Sequence, residues 1–153
     1  MSAGLVLLLH GPNLNLLGQR EPQVYGYETL EDHEARVVTQ LKTAGFDCQT
    51  HQSNSEGDII DKVHSARGTT VGMIINSGAF THYSWALHDA LRSYSAPIVE
   101  VHLSNPSARE DFRHTSVVAP LAAGTISGFG PLSYDIAVQA LVSLLSSNRN
   151  SNS

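Results

Sequence analysis

Residues 4–15 read GLVLLLHGPNLN, and this stretch decides the fold class. From Gly4 to Leu9 the run is apolar without alternation. That is the composition of a central parallel strand covered by helices on both faces, since a strand wet on one side would alternate. The run ends at His10 in the turn residues GPNLN, residues 11–15, where a functional loop is expected to start. Outward from it, strand-length apolar runs alternate with segments of helical period, the pattern of an α/β sheet. A helix should open near Thr29, with Asp32 three residues on to complete a capping box, bury Leu30, Val37, Val38 and Leu41, and stop at Gly45. FDCQT (46–50) reads as the second strand, with Cys48 as a buried filler. A second capping box, Ser55 with Asp58, should start a helix buried through Ile59, Ile60, Val63 and Ala66 and ended at Gly68. TVGMIIN (70–76) is the third strand, Leu87, Ala90, Leu91 and Tyr94 mark the third helix, and PIVEVHLSN (97–105) is the fourth strand. AGTISGFG (123–130) is preferred as the fifth strand over SVVA (116–119). A last helix from about Pro131 should bury Ile136, Ala140, Leu141, Leu144 and Leu145. Five strands and their crossovers fit a flavodoxin-like doubly wound sheet in the order 2-1-3-4-5. We expect one catalytic domain over residues 1–146 and a disordered C-terminal tail over 147–153.

Composition narrows the partners. The chain has 153 residues, 41% of them hydrophobic and 15% charged, which suits a single globular unit rather than a disordered one. Nine Lys and Arg against fourteen Asp and Glu give a net charge of −5, and no basic cluster is present, so nucleic acid is not the expected partner. A single cysteine excludes an internal disulfide and fits a reducing compartment. The apolar run Leu5 to Leu9 is too short to cross a bilayer and has no basic leader, so no membrane partner is expected and the location is read as cytoplasmic.

In an open α/β sheet, ligands bind beyond the carboxyl ends of the strands. The residues expected there are polar: His10, Asn13 and Asn15 after strand one, Asn76 and Ser77 after strand three, and Glu100, His102, Ser104 and Asn105 on strand four. Singly, each has a bland reading, because Asn and Ser are common in turns and a lone His is more often structural than catalytic. Their convergence on one rim favours a site. The connection LGQREPQVYGYETL (17–30) is longer than the two to six residues or so such loops need, and it carries Arg20, Glu21, Tyr25 and Tyr27, with glycines at 18 and 26, as a lid would. The bland alternative is that its tyrosines pack the loop and that Arg20 pairs with Glu21 in solvent. No HExxH, CxxC or Walker loop is present, and His82 and His88, six apart, are not expected to share a helix face, so metal catalysis is not expected. Acid–base chemistry by Tyr and His remains. Bringing a phenol from its ordinary value of about 10 down by about two to three pH units takes about 3–4 kcal/mol, which one desolvated guanidinium can supply. Arg20, on the same loop as Tyr25, is placed for it.

The segments LLLHGPNLNLLGQREPQVYG, QSNSEGDIID, INSGAFTHYS, VEVHLSNPSARE and TISGFG resemble the type II 3-dehydroquinate dehydratases over nearly the whole chain. The resemblance implies a flavodoxin-like fold, a dodecamer built as a tetramer of trimers, no cofactor, and reversible trans elimination of water from 3-dehydroquinate to 3-dehydroshikimate, in shikimate or quinate metabolism. Carried over by motif, Tyr25 is implied as the general base, Arg20 as the cation beside it, and Asn13 as a stabiliser of an enolate through a water. His102 is implied as the general acid that protonates the leaving hydroxyl, with Glu100 orienting it. Asn76, His82, Leu103, Ser104 and Arg113 are implied as substrate-binding residues, and Asp89 as a residue reaching the site from a neighbouring subunit. The rival reading is a binding module of the same architecture. A phosphoacceptor domain would want acids where Asn13, Asn15 and Asn76 stand, and an FMN carrier would want a hydroxyl-rich loop in place of GPNLN and would be yellow.

Overall fold

The computed structural model describes residues 1–152. Five parallel strands, β1 (Leu5–His10), β2 (Asp47–Gln52), β3 (Gly72–Asn76), β4 (Ile98–His102) and β5 (Gly124–Ser127), form one sheet in the order β2-β1-β3-β4-β5. The helices are α1 (Pro22–Tyr25), α2 (Leu30–Thr43), α3 (Glu56–Ala66), α4 (Trp85–Arg92) and α5 (Leu132–Ser151). Leu7, Leu9, Met73 and Ile75 face one core with α3 and α4, while Val6, Leu8, Ile74, Val99 and Val101 face another with α2 and α5. Both faces of β1 and β3 are therefore dry, the reason these strands carry no alternation. Each fully buried Leu or Ile contributes about 1.5–3 kcal/mol of hydrophobic stabilisation.

Sequence and structure part at several points. The Thr29–Asp32 capping box is complete, but Ser55 forms only half of one: its N–H donates to Ser53 Oγ at 3.0 Å, while the Asp58 carboxylate meets His51 Nε2 at 2.7 Å. SVVA forms no strand; the chain there leads into a 3₁₀ turn, Ala119–Leu121. Val38, Ile60 and Cys48 are only half-buried, Cys48 because β2 is an edge strand. In α5 the fully covered residues include Tyr134, Ala137, Val138, Leu141 and Leu145, and Ile136, Ala140 and Leu144 sit half-exposed at the flank. The expected disordered tail is helical through Ser151: Ser147 and Ser151 hydroxyls bond the carbonyls four residues back, and the Arg149 guanidinium lies 5.7 Å from the Phe46 ring centroid. Ser153, the end of that tail, lies outside the described residues.

At the strand exits the backbones of β1 and β3 touch. Gly11 N–H donates to the Asn76 carbonyl at 2.8 Å, and a Cβ on Gly11 would meet the Ser77 carbonyl oxygen at 2.3 Å. Only glycine permits this approach, which brings the Asn13 and Asn76 loops to one rim.

Candidate active site

A cavity of about 150 Å³ opens at that rim, lined by Asn13, Arg20, Tyr25, Asn76, His82, His102, Leu103, Ser104, Arg109 and Arg113 among others. Asp89 is not part of it; it sits exposed on α4. Three segments supply the lining: the β1 exit with the 17–30 connection, the β3 exit, and the end of β4 with the turns that follow.

Asn13 adopts a left-handed backbone conformation, φ 68°, which asparagine tolerates better than most residues but still pays strain for. Its N–H donates to Asn54 Oδ1 at 2.9 Å, and Gln52 Nε2 donates to the same oxygen at 3.2 Å and to the Gly11 carbonyl at 3.1 Å. The QSN segment after β2 thus pins the GPNLN turn.

Tyr25 ends the short helix α1, entered at Glu21 with φ 41° and left at Gly26 with φ 84°. Its hydroxyl accepts from Arg109 Nη1 at 2.9 Å, and the same nitrogen donates to Ser104 Oγ at 3.2 Å. Arg20, the cation expected to serve Tyr25, instead spends its Nη2 on Glu21 at 3.0 Å and contacts Tyr25 only through the ring, 5.2 Å from the centroid. A guanidinium has no acceptor, so the Arg109 contact puts a donor and a positive charge on the phenol oxygen. Sequence reasoning missed Arg109, which lies 84 residues from Tyr25. Its one signal was a basic residue just past the strand-four exit, in NPSARE. Tyr27, on the same connection, is exposed and does not line the cavity.

His102 is held by Glu100. Its Nε2 lies 3.0 Å from Glu100 Oε2, leaving Nδ1 as the uncommitted nitrogen. Glu100 is 2% exposed. Thr81 Oγ1 donates to its Oε2 at 2.8 Å, and Ser116 Oγ lies 2.9 Å from each carboxylate oxygen. Ser116 in turn accepts the N–H groups of Val118 and Ala119, and Ser77 lies 2.5 Å from Thr81. Burial pushes the Glu100 carboxyl up, but the hydrogen bonds from His102, Thr81 and Ser116 and the His102 charge outweigh it and hold the group below its ordinary value of 4.5. So saturated a carboxylate holds the imidazole in place and has little capacity left to accept a further proton. Neither Thr81 nor Ser116 was legible as a site residue, because each acts through Glu100.

Because the folded-state value is depressed, the stabilisation from Glu100 is present above the ordinary carboxyl range and is lost as pH falls through the folded value. The melting temperature should therefore fall on acidification below about 4.5. Glu100→Gln should lower stability at neutral pH by about 1.5–3 kcal/mol and flatten that acid limb, read by thermal denaturation across pH. A variant with the same acid limb as the parent would remove Glu100 from this account.

His82 and His88 do not share one helix: both turn to the 115–117 segment, His82 Nδ1 to the Thr115 carbonyl at 2.8 Å and His88 Nδ1 to the Val117 carbonyl at 2.6 Å. A carbonyl only accepts, so His82 carries its proton on Nδ1. Burial draws its titration below the ordinary 6.5 against the opposing Thr115 bond, which favours the neutral ring, and in that form Nε2 offers a lone pair. Arg113 forms an ion pair with Glu110 and sits 4.6 Å from the Phe112 ring centroid, presenting positive charge at the mouth.

The cavity thus offers a phenol beside a guanidinium, an imidazole on a buried carboxylate, and amide and cationic groups between them. Residues 4–142 match the family described as dehydroquinase class II. The 3-dehydroquinate dehydratase of Halalkalibacterium halodurans is 52% identical over 137 residues, covering 90% of this chain and 94% of that protein. That of Desulforudis audaxviator is 51% identical over 146 residues, 95% of this chain and 97% of its own. Among solved structures, the type II dehydroquinase from Propionibacterium acnes superimposes with a TM-score of 0.88 at 41% identity, over 93% of this chain and 98% of that one. A match of this extent, on a sheet of this order with these strand exits, leaves one placement: the chain belongs to the class II dehydroquinases.

Proposed function

We propose that this chain is a 3-dehydroquinate dehydratase, removing water from 3-dehydroquinate through an enolate to give 3-dehydroshikimate. The observation that carries the reading is the pairing, in one cavity, of Tyr25 under the Arg109 guanidinium with His102 fixed on Glu100. The family match removes the flavin-binding alternative from favour. Tyr25, as phenolate, takes a proton from C2. The electron pair moves onto the carbonyl oxygen, and Asn13, through a water, stabilises the resulting enolate, the costly species on the path. Collapse of the enolate expels the C1 hydroxyl, which His102 protonates from Nδ1. Water leaves, and the base and acid act from opposite faces of the ring. Asn76, His82, Leu103 and Ser104 hold hydroxyls and carboxylate, and Arg113 supplies a countercharge to the carboxylate.

The dodecamer, a tetramer of trimers, belongs to the same proposal. Asp89 shares an exposed helix face with Trp85, four residues before it; Tyr83 is exposed just before α4, and the exposed Phe112 ring lies edge-on to His82 at 5.7 Å between centroids, as a surface awaiting a second copy would be. Within that assembly Asp89 reaches a neighbour's site. No helix among the described residues is long and apolar enough to cross a membrane, and we place the enzyme in the cytoplasm, serving shikimate formation, quinate breakdown or both.

Mixing the protein with 3-dehydroquinate should raise near-ultraviolet absorbance as the conjugated enone carboxylate forms, undiminished by chelator; no rise would contradict the assignment. The two guanidiniums beside Tyr25 should separate by effect. Arg109→Ala should lower kcat by about 10²-fold or more and delay the appearance of activity to higher pH, whereas Arg20→Ala, which loses a ring contact, should have the smaller effect on both. An Arg20→Ala loss larger than that of Arg109→Ala in the pH–rate profile would reverse the assignment.

A further inference from the structure

Behind the cavity lies a buried polar chain that the proposed chemistry does not use. Tyr134 is fully buried on α5, His10 is fully buried at the end of β1, and Asn76, at the end of β3, lines the cavity. Asn76 Oδ1 accepts the Gly78 N–H at 3.2 Å. That contact fixes which end of the amide is which, because a flipped side chain would set two donors against each other. Asn76 Nδ2 then donates to Tyr134 Oη at 3.1 Å. Tyr134 Oη lies 2.9 Å from His10 Nε2. Burial pushes the Tyr134 phenol far above its ordinary value, so it keeps its proton. Asn76 cannot accept that proton, so the hydroxyl donates to His10 Nε2, which must be the bare nitrogen. His10 Nδ1 then carries the ring hydrogen. It lies 3.3 Å from Glu34 Oε1 on α2, a carboxylate that is 19% exposed, within ion-pair distance but without hydrogen-bond alignment. His33 also stacks on the Tyr134 ring, centroids 5.1 Å apart, and burial draws its titration below the ordinary imidazole value.

We propose that Tyr134 and His10, with Glu34 beside the His10 ring, are positioning residues: they hold the Asn76 amide in the orientation that the Gly78 N–H contact selects, so that its one remaining N–H, and not its oxygen, faces the cavity. This wall of the site therefore recognises an oxygen acceptor on the substrate, and the recognition is set from α5 and α2 rather than by Asn76 alone. The inference rests on the reading of Asn76 as a substrate-binding residue. It predicts a binding defect without a chemical one, because no member of the chain touches the reacting atoms.

Tyr134→Phe keeps the ring and removes the hydroxyl. It should raise KM for 3-dehydroquinate by about tenfold while kcat changes by less than about threefold. His10→Gln, which can still present an acceptor oxygen to Tyr134, should keep KM within about twofold of the parent, and His10→Leu should behave as Tyr134→Phe. An unchanged KM in Tyr134→Phe, a loss confined to kcat, or equal defects in the Gln and Leu variants would overturn the proposal. Neutron diffraction from the unaltered protein at about pH 8, above the ordinary imidazole range, supplies a reading that needs neither variants nor turnover. Deuterium on His10 Nδ1 and on Tyr134 Oη, aimed at His10, is the expected map; deuterium on His10 Nε2 would overturn the relay. Absence of turnover in the unaltered protein would instead fall on the activity assignment and leave that map still decisive.

Discussion

Tyr25→Phe should fold and assemble as the parent does and lose about 10²–10⁴-fold in kcat, the usual contribution of a positioned general base. Tyr25 is half-buried, and its ring packs beside two guanidinium groups, contacts that phenylalanine retains. The substitution removes only the oxygen that accepts from Arg109, so binding should suffer less than turnover. Steady-state kinetics with a circular-dichroism control checks this. Retained kcat in a folded variant would mean that another group takes the C2 proton.

His102→Ala should cost a comparable factor in overall turnover but spare the first half of the reaction. His102 reaches the cavity from the end of β4, held through Nε2 by Glu100, and its proposed task begins only when the hydroxyl leaves. Exchange of the C2 proton with solvent deuterium should therefore persist in His102→Ala while water loss falls by about 10²-fold or more. Mass spectrometry of recovered substrate separates the two steps. Equal loss of exchange and elimination would reject the division of labour. Glu100→Gln should follow His102→Ala in kind, since its effect on catalysis passes through the imidazole.

What the sequence made legible follows from which forces are local. The unbroken apolar runs of β1 and β3 announce strands dry on both faces, and two such strands with helical segments between them leave few topologies open. The strand exits, and with them Asn13, Asn76 and His102, fell out of that topology. Helix ends were harder. Serine-rich 147–151 reads as a tail by composition, yet its hydroxyls bond carbonyls one turn back and α5 continues. The core stripe of α5 was legible only in part: Leu141 and Leu145 are buried as expected, but Tyr134, with its polar tip, and Ala137 face inward while aliphatic Ile136 and Leu144 lie at the flank. Arg109 escaped notice because its contact with Tyr25 spans 84 residues and depends on where the turns after β4 place it. Thr81, Ser116 and Tyr134 escaped for a related reason: each serves a residue that faces the cavity, and a hydroxyl in that supporting position leaves no spacing pattern in the chain.

The central claim is that Tyr25 and His102 work from opposite faces of the bound ring. A substrate carrying deuterium at a single stereochemically defined C2 position tests it most directly. The hydrogen trans to the C1 hydroxyl should be the one lost, with the other retained in 3-dehydroshikimate. Loss of the hydrogen on the same face as the departing hydroxyl would contradict the account.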